Sequence, residues 1–308
     1  MEIHRKRPVR WRQVKRSWQI YLLLVLPLAW YFLFAYYPMS GLQLAFKSYH
    51  AQKGIWGSEW IGFLNYTLLF RDTLFWRSVS RTILANLGRL AVCFPFPILL
   101  ALMLNELRMP RYKKTLQSVF TFPYFLSWVI VASLMINLFS TDGLFNIFMK
   151  IFTGNTVNVL GNEKIFWVVQ YLTNIWRNAG YSMIIYMAAI VGIDQDQYEA
   201  AELDGASRLQ TILHVTLPNI LPTVSILFIL TCGNLMTEGF DQAFNLSNSA
   251  TRRVAEILDM YIYRVTFSSS MSIGYSSAVA LFRSVLNMLF LLISNTVSKK
   301  LSGSGLLG

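Results

Sequence analysis

The sequence predicts an all-α membrane protein with six transmembrane helices, and three observations carry that expectation. Of the 308 residues, 55% are hydrophobic and only 14% charged, with a mean hydropathy of +0.44, whereas soluble domains carry about 25% charged residues. From Ser17 to Phe46 there is no charged residue, and about 20 predominantly apolar residues are enough for a helix to cross a bilayer. Apolar windows then recur near residues 18–38, 82–106, 115–139, 165–192, 217–238 and 274–298. Each is long enough to span with some tilt.

In chain order, residues 1–17 read as a cytoplasmic tail. Arg5, Lys6, Arg7, Arg10, Arg12, Lys15 and Arg16 are seven of the 27 basic residues, and such clusters stay on the inner side. The first apolar window is followed by Tyr36-Tyr37-Pro38 rather than a small-residue cleavage site, so it predicts an uncleaved helix. Residues 18–78 then hold that helix and an extracellular segment, where Trp56, Trp60 and Trp76 predict an interfacial element. The remaining spans fall in residues 79–300. Arg108, Arg111, Lys113 and Lys114 join the second and third, and Lys299 and Lys300 follow the last. An even number of spans puts both termini on one side, and these basic groups make it the cytoplasmic side. Lys113 and Lys300 should face inward, and Lys53 and Lys150 outward. The outer connections, near residues 39–81, 140–164 and 239–273, are longer and of mixed charge. Pro27, Pro95, Pro97, Pro123, Pro222 and Gly233 mark kinks. Residues 301–308, rich in Gly and Ser, read as a flexible tail.

Several function classes fall away. A net charge of +12 could point to nucleic acid, but the cations sit at predicted inner membrane boundaries rather than on one patch. With only Cys93 and Cys232, both in apolar runs, and three scattered histidines, neither a disulfide framework nor a metal site is expected. No paired carboxylates or nucleophile–base pair at useful spacing suggest an enzyme. An ion-coupled secondary sugar transporter is the alternative, but its internal repeats and intramembrane acids are not visible.

Five of the fifteen acids lie between Asp194 and Asp204, in a chain that is otherwise basic and apolar. The helix-favouring run Tyr198 to Leu203 is broken at Gly205, which predicts two short helices joined at a glycine. Acids at 199, 202 and 204 alternate with apolar residues at 203, 209, 212, 213 and 217. Such a bump over residues 194–218 suits a partner's groove, where apolar area supplies affinity and charge sets register.

The spacing Glu199-Ala200-Ala201-Glu202-Leu203-Asp204-Gly205, closed by Leu217-Pro218, resembles the cytoplasmic coupling loop of permease subunits in ATP-binding-cassette (ABC) importers. Tyr37-Pro38-Met39-Ser40-Gly41, Gly62-Phe63-Leu64-Asn65-Tyr66, Phe94-Pro95-Phe96-Pro97 and Leu100-Ala101-Leu102-Met103-Leu104-Asn105-Glu106 extend the likeness to carbohydrate-uptake permeases of the maltose type, above all the Gram-positive branch for complex oligosaccharides. Val215, where isoleucine is more usual, and Ser80-Arg81-Thr82, where asparagine usually precedes the threonine, depart from the pattern. The resemblance implies the type I importer transmembrane fold in the cell membrane, surrounded by lipid. It implies as partners a second homologous permease, two ATPase subunits, an extracellular solute-binding protein and an oligosaccharide. Glu199, Ala200, Ala201, Asp204, Gly205, Leu217 and Pro218 would then dock the ATPase. No G-x-x-x-x-G-K-[ST] occurs, so ATP and magnesium should bind that partner and no cofactor this chain.

Ionisable groups within a membrane are candidate functional sites, here Arg89, Arg177 and Arg283. For Arg89 and Arg283 a structural role is favoured, since an arginine can snorkel or bond helix carbonyls and a partner's acid. Arg177 shares a predicted helical face with Asn174, Asn178 and Tyr181. Amides and guanidinium suit sugar hydroxyls, and a ring suits the apolar face of a pyranose; the resemblance implies ligand contacts on this same helix. Ser127, Trp128, Thr231, Asn234 and Glu238 are further candidates for the substrate pathway. Arg177 would favour a cargo rich in acceptors, either neutral hydroxyls or a carboxylate or sulfate.

Overall fold

A computed structural model describes residues 18–267, 272–302 and 305–306. The expected basic tail over 1–17 lies outside these residues, as do 303–304 and 307–308 of the expected C-terminal tail.

The first helix, α1 (Trp18–Tyr31), runs on through a π turn (Phe32–Tyr36) and a 3-10 stretch (Tyr37–Phe46). Pro27 lies inside α1 and Pro38 opens the 3-10 stretch, each removing a backbone donor where the helix changes character. Every α1 side chain of described exposure is exposed. Apolar on all sides, this helix is built for a greasy surround. The chain then forms a small antiparallel hairpin, β1 (Lys47–Ser48) with β2 (Glu59–Trp60), in which Lys47 faces Trp60. The expected interfacial segment thus includes strand pairing, with Trp56 and Trp60 exposed on it.

After α2 (Leu64–Arg71), α3 (Thr73–Val92) begins nine residues before the apolar window near 82. Asp72 sets that start by accepting a hydrogen bond from the Leu74 amide at 2.8 Å. A turn at Cys93 leads into α4 (Pro95–Asn105). The third window, expected as one helix over 115–139, is divided into α5 (Pro110–Thr121), a 3-10 turn (Phe122–Phe125) and α6 (Trp128–Phe139). Leu126 and Ser127 are extended, and the Ser127 hydroxyl caps α6 at the Ile130 amide. Next come α7 (Leu144–Thr153) and α8 (Phe166–Val191). The acidic loop holds α9 (Gln195–Leu203) and α10 (Arg208–Thr211), and a π turn (Ile212–Thr216) feeds α11 (Leu217–Gly233). The chain closes with α12 (Phe240–Leu246), α13 (Leu258–Phe267) and α14 (Ile273–Ser302). The last helix runs two residues into the expected tail.

Among the described residues, five helical stretches are long and apolar enough to cross a membrane: Tyr21–Phe46, Thr73–Asn105, Trp128–Thr153, Arg208–Gly233 and Ile273–Lys300. The expected span near 165–192 corresponds to α8. Its 26 residues reach about 39 Å at ~1.5 Å per residue, and its polar stripe keeps it out of the apolar set.

Two apolar clusters organise the bundle. One joins α2, α3, α13 and α14 through Leu69, Phe75, Leu258, Tyr261 and Val279; the other joins α4, α8 and α11 through Leu104, Met183, Ile190 and Ile220. The connection near 239–273 is therefore no plain loop, because α13 lies within the first cluster. Two of its acids pair within the chain: Asp259 with Arg283 of α14, and Glu256 with Arg264 at 2.6 Å. Arg283, singled out for its charge in a helix, has a structural partner.

Candidate functional site

Two glycines fix how closely the helices around the centre approach. A Cβ at Gly180 of α8 would run into the Phe120 carbonyl of α5, and one at Gly88 of α3 into the Tyr171 hydroxyl of α8. Tyr171 in turn donates to the Ala85 carbonyl at 3.0 Å. With α8 held against α3 and α5, its polar stripe meets a cavity of about 590 Å³.

Six of the nine residues expected along a pathway line this cavity: Trp128, Asn174, Asn178, Tyr181, Thr231 and Glu238. Ser127 instead caps α6, and Asn234 is exposed and donates to the Leu230 carbonyl at 3.1 Å. Arg177 sits beside the cavity rather than on its wall. At about 100° per residue it falls roughly 60° from Asn174, whereas Asn178 and Tyr181 fall within about 40°. Its Nε donates to the Leu126 carbonyl at 3.0 Å and an Nη to Asn178 Oδ1 at 2.7 Å. The guanidinium also lies 4.7 Å from the Trp128 ring centre and 5.5 Å from that of Tyr124, within cation–π range. Arg177 thus pins the break before α6 and orients two cavity rings. Tyr124 stacks on Tyr181, with centroids 3.9 Å apart and planes 5° from parallel.

Next to the stripe the wall carries Arg89, together with two residues that the sequence did not single out, Asn86 and Gln242. Arg89 of α3 is 8% exposed and donates from Nη2 to Gln242 Oε1 at 3.1 Å. Gln242 of α12 donates to the Gln170 carbonyl at 2.6 Å, and Asn174 reaches the same Gln242 oxygen at 3.5 Å. Asn86, one turn before Arg89, donates to the Leu235 and Glu238 carbonyls at 2.6 and 3.2 Å. The turn between α11 and α12 is thereby clamped onto α3. Gly239, with φ +99°, lets the Arg89 guanidinium lie against the backbone there. Asn86 and Arg89 share a helical face by spacing, a signal available in the sequence; Gln242 had none, since it lay in an expected loop.

The acidic loop is ordered by its own ends. Asp194 caps α9 by accepting from the Asp196 amide at 3.2 Å. At its other end the Ala206 amide bonds the Ala201 carbonyl at 2.9 Å and the Gly205 amide bonds the Glu202 carbonyl at 3.0 Å, a Schellman arrangement around a left-handed glycine. The expected turn at Gly205 exists, with φ +74°, yet a Cβ there would meet nothing within 4 Å. Backbone conformation, not crowding, demands glycine. Ser207 and Gln210 then form a capping box for α10. Tyr198 meets Thr216 at 3.1 Å, and Asn219 donates to Gln197 at 2.7 Å, anchoring α9 to the start of α11. Glu199, Ala200, Asp204, Gly205 and Pro218 are exposed, Ala201 and Leu217 partly so. Leu203 at the tip is 89% exposed.

Residues 94–303 match the family model described as "Binding-protein-dependent transport system inner membrane component". The chain is 40% identical to the polygalacturonan/rhamnogalacturonan transport system permease protein YteP of Bacillus subtilis (strain 168), over 95% of this chain and 92% of that one. It is 37% identical to protein LplB of the same organism with the same coverage. Among solved structures, a chain of a bacterial ABC transporter involved in the import of the acidic polysaccharide alginate superposes with a TM-score of 0.86 at 33% identity, covering 95% of this chain and 99% of the other. The same kind of transporter in complex with its alginate pentasaccharide-bound periplasmic protein gives a TM-score of 0.85. This multi-pass, all-α chain belongs to the inner-membrane permease components of binding-protein-dependent ABC transport systems.

Proposed function

We propose that this chain is one permease subunit of an ATP-driven importer that moves an oligosaccharide, delivered by an extracellular binding protein, into the cytoplasm. The observation that carries the reading is the cavity wall: the stacked Tyr124–Tyr181 pair and Trp128 lie beside the amides of Asn174 and Asn178 and the hydroxyl of Thr231. Rings cover the apolar faces of a pyranose, while amides and hydroxyls exchange hydrogen bonds with its rim. Relatives named for polygalacturonan/rhamnogalacturonan transport and alginate import support the same class of cargo.

The inner loop is the surface for an ATPase, with Glu199, Ala200, Ala201, Asp204, Gly205, Leu217 and Pro218 as its contact residues. Exposed Leu203 adds apolar area at the tip. A second homologous permease and two ATPase subunits complete the assembly, ATP and magnesium bind the ATPases, and both termini of this chain face the cytoplasm. Transport then requires that ATP favour an outward-facing state and hydrolysis remove that preference, since a ligand shifts a conformational equilibrium only by its differential affinity.

The test is copurification from native membranes without crosslinking, followed by reconstitution in liposomes. Recovery of an ATPase, a second permease and a binding protein, with oligosaccharide uptake dependent on ATP and the binding protein, is the expected outcome. Uptake driven by an ion gradient in the absence of both would overturn the reading in favour of a secondary transporter.

A further inference from the structure

The two arginines nearest the cavity differ in what occupies their donors. Arg177 is engaged by a carbonyl, an amide oxygen and two rings, and stands off the wall. Arg89 lines the wall and, among the described residues, donates one hydrogen bond, to Gln242. Its Nε is buried without an acceptor. Its counter-charge is Glu238, whose Oε2 lies 3.9 Å from Nη1, beyond hydrogen-bond reach. The Glu238 side chain is 41% exposed and lines the same cavity.

An arginine buried this deeply needs a negative partner, and a guanidinium prefers two parallel hydrogen bonds to one carboxylate. A carboxylate held off at 3.9 Å meets the first condition and not the second. Glu238, half in solvent, compensates the charge without occupying the fork. Asp241, the other acid on the wall, makes no ion pair among the described residues.

We propose that Arg89 is the residue through which this permease reads a carboxylate on its cargo, the uronate group of an acidic oligosaccharide, with Glu238 as the internal carboxylate that the cargo displaces. This rests on the oligosaccharide reading above and names the charge of the cargo. A cargo carboxylate that enters the cavity forms the two-pronged contact that Glu238 does not reach, and Glu238 turns toward solvent. Because Arg89 also holds Gln242 of α12, the exchange happens at the turn that clamps α12 over the cavity. A neutral sugar leaves the Arg89–Glu238 pair in place and gains nothing from it.

The probes are a defined oligogalacturonide and its methyl ester, of equal length and ring composition but without charge. Uptake of each is measured in liposomes with the complete complex, the same binding protein serving all variants so that its own preference cancels in the comparison. Arg89→Gln is expected to reduce the acid-to-ester uptake ratio by about tenfold, corresponding to ~1.4 kcal/mol. Arg89→Lys should reduce it less, since a point charge replaces a fork. Glu238→Gln should raise the ratio at least about twofold by removing the competing carboxylate. If Arg89→Gln fails to assemble, the other two variants decide. An unchanged ratio in Arg89→Lys together with an unchanged or lowered ratio in Glu238→Gln overturns the proposal. Wild-type complex that takes up neither sugar would instead remove the oligosaccharide reading, a separate outcome from uptake of both with no dependence on Arg89.

Discussion

On the acidic loop, Glu199, Glu202 and Asp204 are exposed and make no ion pair among the described residues, and Leu203 between them projects outward. In the segment between α11 and α14 two of the acids, Glu256 and Asp259, are turned inward. Asp259 pairs with Arg283 and Glu256 with Arg264, while Asp72 before α3 accepts from the Tyr261 hydroxyl at 2.5 Å. Both regions hold acids in segments that the sequence marks as connections between apolar spans. One uses its charges to hold its own chain together, and the other leaves them available for a partner. A buried carboxylate must be matched internally, because desolvation makes an unmatched one costly. An exposed one is free to contribute to docking register at little cost to folding.

The largest expected effect lies in the inward-turned region. Asp259→Ala leaves Arg283 without its partner and should destabilise by about 3–5 kcal/mol, read as a lower unfolding midpoint of the purified protein in detergent. A midpoint within error of wild type would break the contrast by making this pair as dispensable as a surface one. Tyr261→Phe removes the hydroxyl that joins Asp72 and Tyr275, 2.7 Å from the latter, and should lower stability by about 1–3 kcal/mol. Equal stability would mean that Asp72 finds another donor when the ring loses its own.

Substitutions at two positions of the acidic loop sharpen the other side. Gly205→Ala forces a left-handed backbone on a residue with a Cβ and should cost about 1–2 kcal/mol locally. Gly205→Asn should cost less, because asparagine tolerates that conformation. A ranking in which asparagine is worse than alanine would point to crowding, against the open space around the position. Glu199→Lys should change stability by no more than about 0.5 kcal/mol and yet deplete the ATPase subunit retained on purified membranes. Full retention together with normal sugar uptake would remove Glu199 from the docking surface.

The membrane class, the helical content, and the two short helices joined at a glycine turn were legible because each depends on local pattern. Charge-free runs of spanning length are one such pattern, and an acidic helix broken at Gly205 is another. Less of the cavity was legible. Asn174, Asn178 and Tyr181 could be grouped by helical spacing, but the same spacing drew in Arg177, whose place at the edge of the stripe depends on the carbonyl that Leu126 offers where the third window breaks. Gln242 and Tyr124 lie in short elements that only packing defines.

By itself the sequence determined which segments must leave water and which backbone positions need glycine or a cap, since hydrophobic burial and local dihedral preference act over a few neighbouring residues. Only the tertiary structure decided which charges are matched within the chain. Arg283 meets Asp259 across 24 residues and Arg89 meets Gln242 across 153, distances over which no local pattern constrains the partner. That pairing is set by which helices pack together, and it separates an arginine that fastens a turn from one that lines the cavity.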